Sequence, residues 1–132
     1  MKSFALQTRA REELVPITGL LSALIREQGW QSGAVLVFCP HSTGALTVNE
    51  QADSDVAKDM RAFMGQLVPQ SPAFCHAEGN SDAHIKSSLF GPSLMLIVEQ
   101  GELRLGTWQG VYFCEWDGPR KRSVWVQFLP CE

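Results

Sequence analysis

Beyond Gly91 the sequence is a succession of short apolar stretches separated by tight turns, and this limits most what the chain can fold into. Leu94 to Val98 reads as a strand, Glu99-Gln100-Gly101-Glu102 as a hairpin turn, and Leu103 to Leu105 as its continuation. Gly106-Thr107-Trp108-Gln109-Gly110 breaks the pattern and Val111 to Trp116 resumes it. Asp117-Gly118-Pro119-Arg120 turns the chain again, and Ser123 to Leu129 is the last strand. Strands joined this closely pair antiparallel.

The first half adds helices to that sheet. Phe4 to Thr8 alternates as a strand does, and Glu12 to Pro16 begins a second strand or a loop. A helix fits Gly19 to Gln28, capped by Thr18 and stopped by Gly29, with Leu20, Leu21, Leu24 and Ile25 as its apolar stripe. Ala34 to Cys39 is a continuous apolar run, read as a strand buried on both faces and ended by Pro40. His41-Ser42-Thr43-Gly44 then leads into a strand, Ala45 to Asn49. A second helix, Asp55 to Leu67 with Ser54 as cap, turns Val56, Met60, Phe63, Met64 and Leu67 toward the core. The fold class predicted is α+β: one compact antiparallel β-sandwich domain over residues 1–132, with two main helices and one short helix.

That short helix lies in the passage from Cys75 to Gly91, which carries two of the chain's 3 histidines. Asn80 or Ser81 suits its N-cap, Asp82 its first turn, and Gly91-Pro92 its end. His84 and Ser88 share one face, Ile85 and Leu89 the next, so the apolar pair should anchor the helix while the polar pair faces a site. An anion would be favoured beside its N-terminus. The plainer account is that His, Asn and Ser here only serve helix capping.

Composition sets outer bounds. With 132 residues, 45% of them hydrophobic, the chain can build one globular core. A net charge of −3 argues against a nucleic-acid partner. Cys39, Cys75, Cys114 and Cys131 form no C-x-x-C pair and are expected to be reduced and mostly buried, as in a cytoplasmic protein. No apolar run approaches membrane-spanning length, and the N-terminal residues lack the apolar core of a signal peptide.

All 3 histidines, His41, His76 and His84, sit in polar, loop-adjacent positions. Three imidazoles with an open fourth position would suit zinc or a similar divalent ion, although their spacing matches no ligand signature. Ser88, Thr107, Gln109 and Arg120 lie near element ends and Lys86 adds a charge, a set that could hold phosphate. Lys121 and Arg122 are read as a solvated turn.

Three ordered blocks resemble the YjbQ-like family. They are Pro40-His41-Ser42-Thr43-Gly44-Ala45-Leu46-Thr47-Val48-Asn49-Glu50, then Gly79-Asn80 with Ala83-His84-Ile85-Lys86-Ser87-Ser88-Leu89, then Gly106-Thr107-Trp108-Gln109 with Glu115 to Arg120. The resemblance implies a β-sandwich assembled as a homotrimer, with His41, His84 and His76 lining a metal site for zinc or magnesium. It also implies a thiamine-phosphate synthase, which joins hydroxymethylpyrimidine pyrophosphate to thiazole phosphate and expels pyrophosphate. In that reading the metal, Lys86 and Arg120 meet the leaving charge. Ser88, Thr107 and Gln109 orient phosphate oxygens, with Asn80 beside them. Asn49, Glu50 and Asp82 steady the site. Two alternatives stand beside it: a metal-assisted hydrolase of another phosphorylated metabolite, and a non-catalytic trimer that binds a small anion or metal.

Overall fold

The computed structural model describes residues 1–131. In chain order the elements are β1 (Lys2–Gln7), β2 (Glu13–Pro16), α1 (Thr18–Gln28), β3 (Gly33–Phe38), β4 (Gly44–Glu50), α2 (Ser54–Leu67), α3 (Ser81–Phe90), β5 (Ser93–Glu99), β6 (Glu102–Arg104), β7 (Gln109–Glu115) and β8 (Lys121–Pro130). The strands make a five-stranded sheet, β1-β8-β3-β5-β6, and a three-stranded sheet, β2-β7-β4. Every pairing is antiparallel. This is the α+β sandwich expected from the turn spacing. The β5–β6 turn holds Gln100 and Gly101 at φ 53 and 76, as a two-residue hairpin loop requires.

The inner faces close on one another. Val35, Val37, Leu96, Val98, Val124 and Val126 of the larger sheet meet Leu46, Val111 and Phe113 of the smaller, with Ile17, Leu21 and Ile25 covering one end. Alternation accounts for this, because one phase of each strand supplies the apolar set. β3 departs from the expected strand buried on both faces. Val35 and Val37 are buried, but Phe38 is exposed on the outer face.

Four helix expectations fail for identifiable reasons. Thr18 does not cap α1; its hydroxyl donates to Gln51 Oε1 and accepts from the Val111 N–H. Asp53, not Ser54, caps α2 by accepting from the Asp55 N–H at 2.9 Å. Only Met64 of the expected α2 stripe is buried, while Phe63 and Leu67 are exposed. The inversion is sharper in α3, where Ile85 and Leu89 face outward and Asp82, Ala83, Lys86 and Ser87 face in. Of the four cysteines, all free thiols, Cys39 and Cys114 are buried and Cys75 and Cys131 exposed. The cysteines were expected to be mostly buried, but only two are, and Cys131 lies beyond the end of the last strand.

Candidate functional site

The site begins where β3 stops. Pro40 cannot donate to a ladder, so β3 pairs with β8 only as far as Phe38 opposite Trp125. Two residues earlier on β8, the Ser123 N–H donates instead to His41 Nε2 at 3.0 Å. The imidazole thus occupies the place of a strand partner. It stands edge-on to the Phe113 ring, centroids 6.4 Å apart. Gly44 permits this arrangement, since a Cβ there would fall 2.6 Å from Phe113 Cζ.

Burial holds the His41 pKa below the ordinary imidazole value, and the positive charge of Arg122 lowers it further. The unfolded chain therefore binds the proton more readily than the folded one. Stability from this group is complete above the unfolded pKa and declines as pH falls toward the folded value. Urea midpoints measured from about pH 7.5 down to about pH 5 should fall more steeply for the native chain than for His41→Gln. Parallel curves would exclude His41 as the source.

Facing this ring across a cleft of about 220 Å³ are His84, Ser87 and Ser88 of α3, with Ser42 and Gly44 beside His41. The Ser88 hydroxyl donates to the His84 carbonyl at 3.0 Å and is occupied. Ser87 Oγ is buried and finds no partner among the described residues. Ser87 belongs to the cleft wall, and its unmet hydroxyl calls for an explanation, because leaving one unpaired costs on the order of 1–3 kcal/mol.

The cations expected to grip phosphate are all engaged elsewhere. Lys86, 1% exposed, places Nζ 2.7 Å from Glu12 and 3.0 Å from Asp82, above the Trp116 ring. Asp82 also takes both guanidinium arms of Arg11, each at 3.1 Å. Burial opposes the Asp82 charge, yet Arg11 and Lys86 outweigh it and hold this carboxyl below its usual range. Arg120 closes on Asp117 through the carbonyl at 2.9 Å and the carboxylate at 3.1 Å. Asn80 donates to the same carboxylate at 2.8 Å rather than capping the helix. The positive end of α3 is thus already met by Asp82 and lies beside Asp117. Arg122, expected to be solvated, is buried against Glu115 and Thr43.

Four of the expected site residues lie at the far end of the smaller sheet. Gly44 pairs with Glu115 at one end of the β4–β7 ladder and Glu50 with Gln109 at the other. Six residues of strand separate those ends, about 20 Å. There Asn49 Oδ1 accepts from the Glu50 N–H, Glu50 from the Ala52 N–H, and Gln109 from the Gly106 N–H. Thr107 is exposed beside them. Within one chain these four do not join His41 and His84.

The histidines divide as well. His76 and His84 meet edge to face, centroids 5.5 Å apart, with Glu78 3.6 Å from His76 Nε2. His41 has committed Nε2 to Ser123. Among the described residues no group of three or more His, Cys, Asp or Glu could hold a metal ion. The side chains of one chain therefore do not fit the three-imidazole centre.

The sequence matches the family described as UPF0047 protein YjbQ-like over residues 2–131. The chain belongs to the YjbQ-like family. This YjbQ-like chain is 45% identical over 130 residues to the UPF0047 protein YugU of Bacillus subtilis, covering 98% of each. A crystal structure of an uncharacterized YjbQ/UPF0047 protein from Clostridium acetobutylicum superposes with a TM-score of 0.94 at 43% identity, covering 98% of this chain and 100% of that one. One from Sulfolobus solfataricus, a YbjQ-like protein of unknown function, gives 0.92 at 29% identity, covering 98% of this chain and 95% of that one.

These findings correct the expected activity. The relatives are known as UPF0047 proteins and carry no synthase function in their descriptions. Nothing here indicates thiamine-phosphate synthesis, and the pairing of Lys86 and Arg120 removes the groups assigned to the leaving pyrophosphate. The two alternatives, a metal-assisted hydrolase and a small-anion or metal-binding trimer, lack support on the same grounds.

Sequence reasoning overlooked Ser87 and misjudged Arg122. Both were signalled by period. Arg122 shares its strand phase with Val124 and Val126, and Ser87 follows Ala83 by four residues on the buried helix face. Among the described residues no helix is long and apolar enough to cross a membrane.

Proposed function

We propose that the cleft between His41 and α3 is a binding site for a small, uncharged, hydrogen-bonding organic molecule. The unpartnered, buried Ser87 hydroxyl carries this reading. Its neighbours in the cleft are an imidazole that burial keeps neutral, a second imidazole and two further hydroxyls. The side-chain cations nearby, Lys86 and Arg122, are already neutralised by carboxylates, so an anion would find no spare charge. A volume of about 220 Å³ suits a molecule of a few heavy atoms. The test is amide NMR of labelled protein titrated with small neutral polar fragments and, separately, with inorganic phosphate. Shifts at His41, His84 and Ser87 with neutral fragments and none with phosphate are expected. The reverse pattern sinks the reading.

We further propose self-association as a homotrimer, supported by the outer face of the five-stranded sheet. Phe38 and Trp125 stack there with centroids 5.9 Å apart. Ile97, 64% exposed, lies across Ala34 of β3 from Leu129, itself exposed, and Met95, 61% exposed, is two residues from Ile97 on the same face of β5. A contiguous apolar sheet face is what a chain covers with a partner. Sedimentation should show a species of three chains, and Ile97→Lys should shift it to monomer without loss of helix signal. A monomeric native protein at micromolar concentration would end this proposal.

A further inference from the structure

We infer that His41 meets its ligand only as a hydrogen-bond donor through Nδ1, so that the cleft selects molecules presenting a carbonyl-type oxygen. This rests on the reading of the cleft as a site for a small uncharged molecule. The argument starts from a backbone amide, which can donate and never accept. The Ser123 N–H lies 3.0 Å from His41 Nε2, so Nε2 must offer its lone pair. A neutral imidazole with a lone pair on Nε2 carries its proton on Nδ1. An imidazolium would set one N–H against another and stand near buried Arg122, whose charge already lowers the His41 pKa.

The tautomer is therefore imposed by the fold. Because β3 ends at Phe38, the Ser123 amide has no strand partner on that side other than the ring. The edge contact with Phe113 restricts rotation of the ring, and Gly44 leaves room for Phe113 to stay in place. Nδ1 makes no hydrogen bond to any described residue. From α3, Ser87 Oγ is likewise unpaired and can donate or accept. A ligand satisfying both needs an acceptor for Nδ1–H and a second polar group for the hydroxyl. A neutral carboxamide has both, with its carbonyl toward His41. The cleft then discriminates by polarity of the hydrogen bond: a group that only donates would face Nδ1–H and be rejected.

The experiment uses the full chain, uniformly labelled with nitrogen-15, with acetamide as probe. Long-range nitrogen–proton spectra should show His41 protonated at Nδ1 and bare at Nε2 before any ligand is added. Acetamide should then shift His41 Nδ1–H together with the Ser87 amide. His41→Gln keeps an acceptor near the Ser123 N–H but has no donor in the place of Nδ1, and should weaken acetamide binding about tenfold. A proton found on Nε2 overturns the inference, as does undiminished acetamide binding by His41→Gln. In either case shifts at Ser87 and His84 would leave the cleft reading standing. If no neutral fragment moves any cleft resonance, the cleft reading fails and takes the inference with it.

Discussion

Glu115→Leu is expected to destabilise the chain by about 3–5 kcal/mol, a large share of the roughly 5–15 kcal/mol that holds a domain folded. Glu115 is fully buried, and its carboxylate accepts from Thr8 Oγ1 at 2.7 Å, Asp117 N at 3.1 Å, Arg122 Nε at 2.8 Å and Arg122 Nη2. Leucine fills similar space but strands a guanidinium that is only 3% exposed and retains just Thr43. The damage should reach the cleft, since the next residue, Ser123, supplies the amide that fixes His41. Removing both charges, Glu115→Leu with Arg122→Leu, should recover at least half the loss, because an apolar pair of similar volume needs no desolvation. Urea unfolding of the three variants checks this. A single-variant loss below about 1 kcal/mol would show that Arg122 finds water, and the pair would then not be the structural centre claimed.

This network marks the limit of what the sequence disclosed. The sheets were legible because alternation and turn residues are local: Glu99 to Glu102 announces a hairpin, and Val124 and Val126 announce an inward phase. The helices were legible in extent, and α1 in orientation too, since Leu21 and Ile25 are buried and Leu24 packs on the core; α3 was not. In α3, apolar Ile85 and Leu89 suggest the inner face, yet Asp82 and Lys86 take it. The partners that make those charges tolerable, Arg11 and Glu12, lie more than sixty positions earlier, and helical period carries no trace of them. The same gap explains the candidate site. Residue types suited to phosphate were identified, but whether Lys86 and Arg120 are free depends on Glu12, Asp82 and Asp117 in the folded chain. His41 was named as a candidate site residue, while its hydrogen bond to Ser123 depends on where β3 stops against β8.

Asp82→Ala should be the second most damaging single change, costing about 3 kcal/mol. The carboxylate lies 1% exposed at the junction of Arg11 and Lys86. Its removal leaves buried Lys86 with Glu12 alone, and frees Arg11, which is already partly exposed. Lys86→Met should cost less, because Asp82 keeps both arms of Arg11 and methionine packs against Trp116 where the ammonium now stands. The order of the two variants therefore tests whether the carboxylate or the lysine holds α3 in place. Acid sensitivity provides an independent reading. The Asp82 pKa is depressed in the folded state, so its stabilisation is present above the unfolded carboxyl value of 3.8 and is lost as pH falls through the folded value. Native stability should therefore drop, as pH falls below the unfolded carboxyl value, by more than that of Asp82→Ala, whose curve lacks this titration. Equal acid slopes, or Lys86→Met proving the more harmful, would shift the anchoring role from Asp82 to Lys86 and its contact with Trp116.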